Sequence, residues 1–296
     1  MLSILIPTYN YNISALVKEI HSQCTKLNIE FEIICFDDGS NSDVNKKNNE
    51  INKLENTYFK ELDKNIGRSA IRNMLAKSAK HEWLLFLDAD VMPKSAQFIQ
   101  NYFKKINASY EAIFGGFAYE KETPENDSIL RWKYGKKYEE VDAKKRNLKP
   151  HQLIISANFL ISKEIFIKIN SLINRKSYGL DNYFASLLKQ YNIKVFHLNN
   201  EVYHHGLESS LTYLNKSEEC INTLLWAYNQ NKMSVHDNKL LGMFLIFKKA
   251  KLHYFMNYFH KVFKDPMKHN LLSPNPNIQL LQVYKLSYIC YKDLAS

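Results

Sequence analysis

Apolar positions along the first ninety residues fall into short solid runs separated by amphipathic stretches. Residues 3–6 form an apolar run with β character. Ile13, Leu16, Val17, Ile20, Cys24 and Leu27 then recur with helical spacing. Residues 31–36 form a second run, ended by Asp37-Asp38-Gly39-Ser40. A polar helix is expected over 43–54 and a weaker strand over 58–62. Ala70, Ile71, Met74, Leu75 and Ala79 mark a helix over 69–79, and residues 83–87 a fourth buried strand, closed by Asp88-Ala89-Asp90. This alternation predicts an α/β fold with a Rossmann-like, mostly parallel central sheet flanked by helices. Ligands of such sheets sit beyond the carboxyl ends of the strands, where Asp37, Asp38, Asp88 and Asp90 all fall.

The second half is less regular. A strand over 112–117 is broken by Gly115-Gly116, and residues 120–150 read as a long polar connection of the kind that forms lids. A strand is expected over 153–161, a helix over 181–191 and a strand over 195–198. Beyond His205-Gly206 the pattern is wholly helical. The division expected is a nucleotide-binding and catalytic domain over 1–206 and a helical C-terminal region over 207–296.

Composition adds limits. The chain has 296 residues and four cysteines without a CxxC pair, which suggests reduced thiols. Its opening lacks a basic start, so it reads as a buried strand rather than a signal peptide. No apolar run approaches the length of a membrane span. The formal net charge is +10, and residues 232–268 hold eight lysines against two aspartates. Phe244, Phe247, Leu252, Phe255, Tyr258, Phe259 and Val262 interleave with those lysines, as in a basic amphipathic helix on an anionic bilayer or an ordinary helix with a solvated basic face.

Asp88-Ala89-Asp90 is the sharpest chemical feature. Two carboxylates at this spacing can face one side of an extended chain and offer oxygen ligands to a divalent ion, though Asp is also a common turn and cap residue. Asp37-Asp38-Gly39-Ser40 combines carboxylates that can accept from a base or ribose with a glycine suited to a tight turn. No G-x-x-x-x-G-K-[ST], G-x-G-x-x-G or H-E-x-x-H occurs.

Together the two motifs resemble the family 2 glycosyltransferases of GT-A fold. Ile4-Leu5-Ile6-Pro7-Thr8-Tyr9-Asn10 is similar to that family's first strand and nucleotide loop. Asn65-Ile66-Gly67-Arg68-Ser69-Ala70-Ile71-Arg72-Asn73 resembles its N-x-G-x-x-x-A-R-N element, with Ile71 where Ala is usual. Tyr178-Gly179-Leu180-Asp181 resembles its G-x-E-D segment, with Leu180 where an acidic residue is common. The resemblance implies that Pro7, Thr8, Tyr9 and Asp38 contact the nucleotide and that Arg68 or Arg72 holds base or phosphates. Asp88 would approach the ribose or metal shell, Asp90 would ligate Mn²⁺ or Mg²⁺, and Asp181 would be the catalytic base. Either His204 or His205 would reach the metal or diphosphate, with His204 preferred. Gly115-Gly116 and Ser156-Ala157-Asn158 would line the sugar sites, and Trp132, Tyr134 and Tyr138 could stack on an acceptor.

The expected activity is metal-dependent, inverting transfer from a nucleotide-diphosphate sugar, UDP by resemblance, to a hydroxyl of a glycan or lipid-linked glycan. The setting it implies is bacterial cell-surface polysaccharide synthesis, in the cytoplasm or at the inner face of the membrane. The basic C-terminal helices are the candidate for peripheral membrane contact, and no nucleic-acid partner is expected. The alternatives are a catalytically silent nucleotide or sugar binder on the same fold, favoured by Leu180, and a nucleotidyltransferase, whose Gly-rich phosphate loop after the first strand is missing.

Overall fold

The computed structural model describes residues 1–106, 109–124 and 126–295. The first half runs β1 (Leu2–Thr8), α1 (Ser14–Leu27), β2 (Phe31–Asp37), α2 (Val44–Asn48), β3 (Thr57–Glu61), α3 (Arg68–Ser78) and β4 (Trp83–Leu87). It continues through β5 (Val91–Pro93), α4 (Phe98–Phe103), β6 (Ala112–Phe114), β7 (Phe117–Ala118), α5 (Ile129–Tyr138), α6 (Ala143–Asn147), β8 (Asn158–Ser162), α7 (Lys163–Asn170), α8 (Leu180–Gln190), β9 (Val195–His197) and β10 (Val202–His204). Four helices follow: α9 (Ser210–Asn229), α10 (Lys239–Lys249), α11 (His253–Leu271) and α12 (Ile278–Ala295).

Seven strands form one sheet in the order β3-β2-β1-β4-β8-β6-β9, and β5-β10-β7 form a small second sheet. β1 pairs in parallel with β2 and β4, placing Thr8 beside Asp37 and Leu5 beside Phe86. Alternate residues of each central strand feed opposite faces. Leu5, Ile34, Phe36, Leu84 and Phe86 enter one core. Leu2, Ile4, Ile6, Ile33, Cys35, Leu85 and Leu87 enter the other. Two covered faces explain why these strands read as solid apolar runs.

On the first face, Phe86 stacks on Phe159 at 5.0 Å between centroids and touches Phe166 at 4.4 Å. Each such ring, fully buried, contributes roughly 2 kcal/mol. Ile221, Leu224, Phe244, Tyr288 and Ile289 of the C-terminal helices join this same core. Polar caps set helix starts: Ser162, Ser209 and Asn238 accept from the amides of Ile165, Thr212 and Leu241.

The central sheet is mostly parallel, as expected, with β8 entering antiparallel between β4 and β6. Several local expectations change. The helix expected over 43–54 tightens into a 3₁₀ turn after Asn48. The strand expected from 153 begins only at Asn158, and the described part of the 120–150 connection holds α5 and α6. The α5 aromatics are half-buried against neighbouring side chains. The Trp132 indole donates to the Glu120 carbonyl, and Tyr134 lies against Tyr138 and Tyr213 under the Lys285 ammonium. None of the three lines the cleft described next. The four cysteines are all free.

Candidate active site

The carboxyl ends of β1, β2 and β4 open onto one cleft of about 680 Å³. Pro7, Thr8 and Tyr9 line it from the end of β1, with Tyr9 exposed. Asp38 also lines it, from the turn after β2. The Asp38 carboxylate accepts from the Ile66 amide at 2.7 Å and the Gly67 amide at 3.0 Å, which fixes the entry to α3. An ionised carboxylate has about four acceptor directions, so Asp38 can still receive a ligand donor. Asp37 is turned away into its own turn, accepting from the amide and hydroxyl of Ser40.

Helix α3 places Arg68 and Arg72 one turn apart on one face. Both reach across β1 to Asp88, each at 2.6 Å, so the two carboxylate oxygens are shared between two guanidinium groups. Arg72 also donates to the Ser156 carbonyl at 2.6 Å and lies over the faces of Phe86 and Phe159. Burial and the neighbouring Arg68 pull Arg72 below the usual guanidinium value. Burial acts the same way on Arg68, but Asp88 and Asp181 outweigh it and hold that guanidinium above its ordinary value.

Asp90 belongs to a different local structure. It lies in the turn where the chain leaves β4 for β5, and β5 pairs with β10 so that Val91 faces His204. That pairing sets the Asp90 carboxylate 3.3 Å from the His204 Nε2. The Asp90 carbonyl accepts from the His205 amide at 2.9 Å. Gly206 is required by this packing, since a Cβ there would stand 2.1 Å from the Asp90 Oδ2. Burial raises the Asp90 pKa, but the His204 contact and the charges of His204 and Arg68 prevail and hold it below the usual carboxylate range. Among the described residues the His204 Nδ1 is buried without a hydrogen-bond partner, and the ring packs against Phe117. His205 points elsewhere, towards Glu120 at 3.6 Å.

Asp181 enters from the opposite side, in the first turn of α8. Gly179 precedes that helix in a left-handed conformation (φ 86°), and a Cβ there would strike Cys220 of α9. The Asp181 carboxylate does not cap its helix. It accepts from the Ser156 hydroxyl at 2.8 Å and lies 3.9 Å from Arg68. Its side chain is 41% exposed, against 21% for Asp88 and 30% for Asp90. Among these three acids it is the most open to an incoming group.

The structure thus brings Pro7, Thr8, Tyr9, Asp38, Arg68, Arg72, Asp88, Asp90 and Asp181 to one cleft, with His204 behind Asp90. Gly115 instead abuts Asn158 and Tyr102, outside it. Sequence reasoning missed Ser156 as a side chain: its hydroxyl accepts from Arg68 at 3.0 Å while donating to Asp181. It also missed Tyr11, a cleft phenol whose pKa is raised by burial and by Asp90, and Glu219 of α9, which holds the Tyr178 amide at 2.9 Å. No local pattern marks these three; the sheet order and helix packing bring them in.

Residues 3–170, more than half of the chain, match the model of glycosyl transferase family 2. Chondroitin synthase of Escherichia coli is 32% identical over 103 residues, which are 34% of this chain and 15% of that protein. A glycosyltransferase of Methanocaldococcus jannaschii is 24% identical over 76% of this chain and 84% of its own length. Another, from Mycoplasma genitalium, is 35% identical over 38% of this chain and 39% of its own. Two solved structures share the fold. A mannosyltransferase of Pyrobaculum calidifontis, in complex with GDP-mannose and Mn²⁺, superposes with a TM-score of 0.52 at 12% identity, over 77% of this chain and 64% of that one. Residues 1–349 of S. aureus TarS give 0.50 at 16% identity, over 99% and 91%. The α/β scaffold with its helical C-terminal extension is therefore GT-A-like, and the chain belongs to glycosyl transferase family 2.

Proposed function

We propose that this protein transfers a sugar from a nucleotide-diphosphate donor, a UDP-sugar, to a hydroxyl of a glycan or lipid-linked glycan, with inversion at the anomeric carbon. The observation that supports this best is the single cleft in which Asp38, Asp88 and Asp90 follow strand ends, Arg68 and Arg72 reach in from α3, and Asp181 enters from α8. In this reading residues 1–206 carry the donor and catalytic groups. The helices beyond them buttress the Asp181 loop through Glu219 and Cys220.

Pro7 to Tyr9 and Asp38 bind the nucleoside. Arg68 and Arg72, aligned by Asp88, present positive charge where the diphosphate leaves. Among the described residues no group of three or more His, Cys, Asp or Glu side chains is disposed to hold a metal. The pair that fits is Asp90 with His204, whose donor atoms converge at 3.3 Å. A mixed oxygen–nitrogen pair suits Mn²⁺ better than Mg²⁺, the remaining positions falling to diphosphate oxygens and water. Bound there, the ion would supply Lewis-acid stabilisation of the departing diphosphate. The mannosyltransferase of similar fold, solved with Mn²⁺, supports this choice.

Asp181 is the base because the other cleft aspartates are engaged. Asp38 serves two amides, Asp88 two arginines and Asp90 the imidazole. The Ser156 hydroxyl holds one Asp181 oxygen, leaving the other to take the acceptor proton. Attack from the face opposite the leaving group inverts the anomeric centre. Release of UDP from UDP-sugars, assayed with Mn²⁺ and a panel of glycan acceptors, tests the reading. Acceptor-dependent release that disappears in Asp181→Asn is expected. Donor binding without release in any combination would favour the silent binder.

A further inference from the structure

Large apolar side chains are exposed unevenly over this molecule. Among the described residues, of the twenty-two that stand open to solvent, eight fall between Met243 and Phe263. Ile246 on α10 is 62% exposed, and on α11 Phe255 is 62% and Tyr258 67% exposed. Tyr254, Phe255, Tyr258 and Val262 share one face of α11, spaced so that successive turns stack them in a stripe. The opposite face of the same helix is satisfied, with Met256, His260, Met267 and Leu271 buried. The outward stripe is therefore surplus to the core.

The charge around it is equally one-sided. Residues 239–264 contain six lysines and no Asp or Glu. Lys248 is paired with Asp293 at 2.8 Å. Lys249, Lys251, Lys261 and Lys264 are exposed and, among the described residues, make no ion pair. A second copy of this chain laid on the stripe would bring like charge against like charge. A soluble polyanion would match the lysines but leave Ile246, Val262 and Phe255 in water. An anionic lipid surface satisfies both sets, taking the rings and aliphatic groups at the headgroup boundary and the ammonium groups among the phosphates. No described helix is long and apolar enough to cross a membrane, so the contact lies in the plane of the surface.

We propose that α10 and α11 dock this protein on anionic phospholipid bilayers through the α11 stripe of Tyr254, Phe255, Tyr258 and Val262, with exposed Ile246 of α10 and the flanking lysines. The docking is independent of donor and catalysis, so its test needs neither. Flotation of the purified full chain with phosphatidylglycerol-containing vesicles and with pure phosphatidylcholine vesicles, at low and high salt, is the experiment. The protein is expected to float with the anionic vesicles at low salt, and less at high salt. Replacing Lys249, Lys251, Lys261 and Lys264 by Gln, or making Phe255→Ser with Tyr258→Ser and Val262→Ser, should each cut partitioning by about tenfold. All seven positions face solvent, and an unchanged circular-dichroism melt confirms that the variants fold. Three results would overturn the proposal: no flotation with anionic vesicles at low salt, full flotation of the serine variant, or a dimer in sedimentation velocity that the serine substitutions dissolve.

Discussion

The two walls of the cleft are built on different principles. The donor wall is pre-ordered: Asp38 is held by two backbone amides, and Asp88 is clamped by Arg68 and Arg72. The facing wall is open. Asp181 is held through one oxygen by the Ser156 hydroxyl and is otherwise exposed to the cleft. A network satisfied before any ligand arrives is preorganised to hold charge, as electrostatic stabilisation demands. Groups left partly unsatisfied are those whose partners arrive with the substrate. Under the proposed function, the first wall binds the donor and the second supplies the base.

The hardest strike on this contrast is Asp181→Asn. Loss of the base should lower turnover by about a thousandfold, near 4 kcal/mol, while donor affinity stays within a few-fold. A parallel collapse of donor affinity, read by titration, would place Asp181 on the binding wall instead. Next comes Arg72→Leu. It leaves the half-buried Asp88 with one guanidinium partner, so unfolding in urea should show a loss of about 2 kcal/mol. A midpoint equal to wild type would mean the clamp is not structural.

Ser156→Ala should cost about tenfold in kcat, near 1.4 kcal/mol, with little change in donor KM, because it frees Asp181 without removing it. Ser156→Thr should restore much of the rate, whereas a purely structural role would shift thermal stability and leave the rate intact. The smallest effect concerns β9. His197 Nδ1 accepts from Arg146 while Nε2 donates to the Pro150 carbonyl, so protonation would set an N–H against the guanidinium. Burial first, and then Arg146, lower its pKa from 6.5 to about 4. The unfolded chain therefore takes up this proton before the folded one. Stability is full above pH 6.5 and falls as the pH drops towards 4, by about 0.7 kcal/mol at pH 6. His197→Gln should flatten that dependence in thermal melts.

The donor wall was largely legible in the sequence, the facing wall only in part, and the reason is physical. Asp38, Arg68, Arg72 and Asp88 follow apolar runs or sit on a helix whose period is local, so a short window carries both element and motif. Asp181 was readable as a helix-start residue, but its partner Ser156 is set by β8 entering antiparallel beside β4. Strand order is a long-range property that no window reports. His204 was a bare possibility beside His205 until β5 and β10 paired and turned one ring to Asp90 and the other to Glu120. Tyr134 and Tyr138 fit either acceptor stacking or packing in the sequence, because both kinds of aromatic look alike in a polar stretch; in the structure they are half-buried against the C-terminal helices, outside the cleft.

Isothermal titration of UDP into the wild type and Asp90→Asn, each with and without Mn²⁺, tests the central claim most directly. The account predicts that Mn²⁺ tightens UDP binding at least tenfold, about 1.4 kcal/mol, in the wild type. It also predicts that Asp90→Asn loses this gain and keeps its metal-free affinity. Equal enhancement in both proteins, or no UDP binding in either, would contradict it.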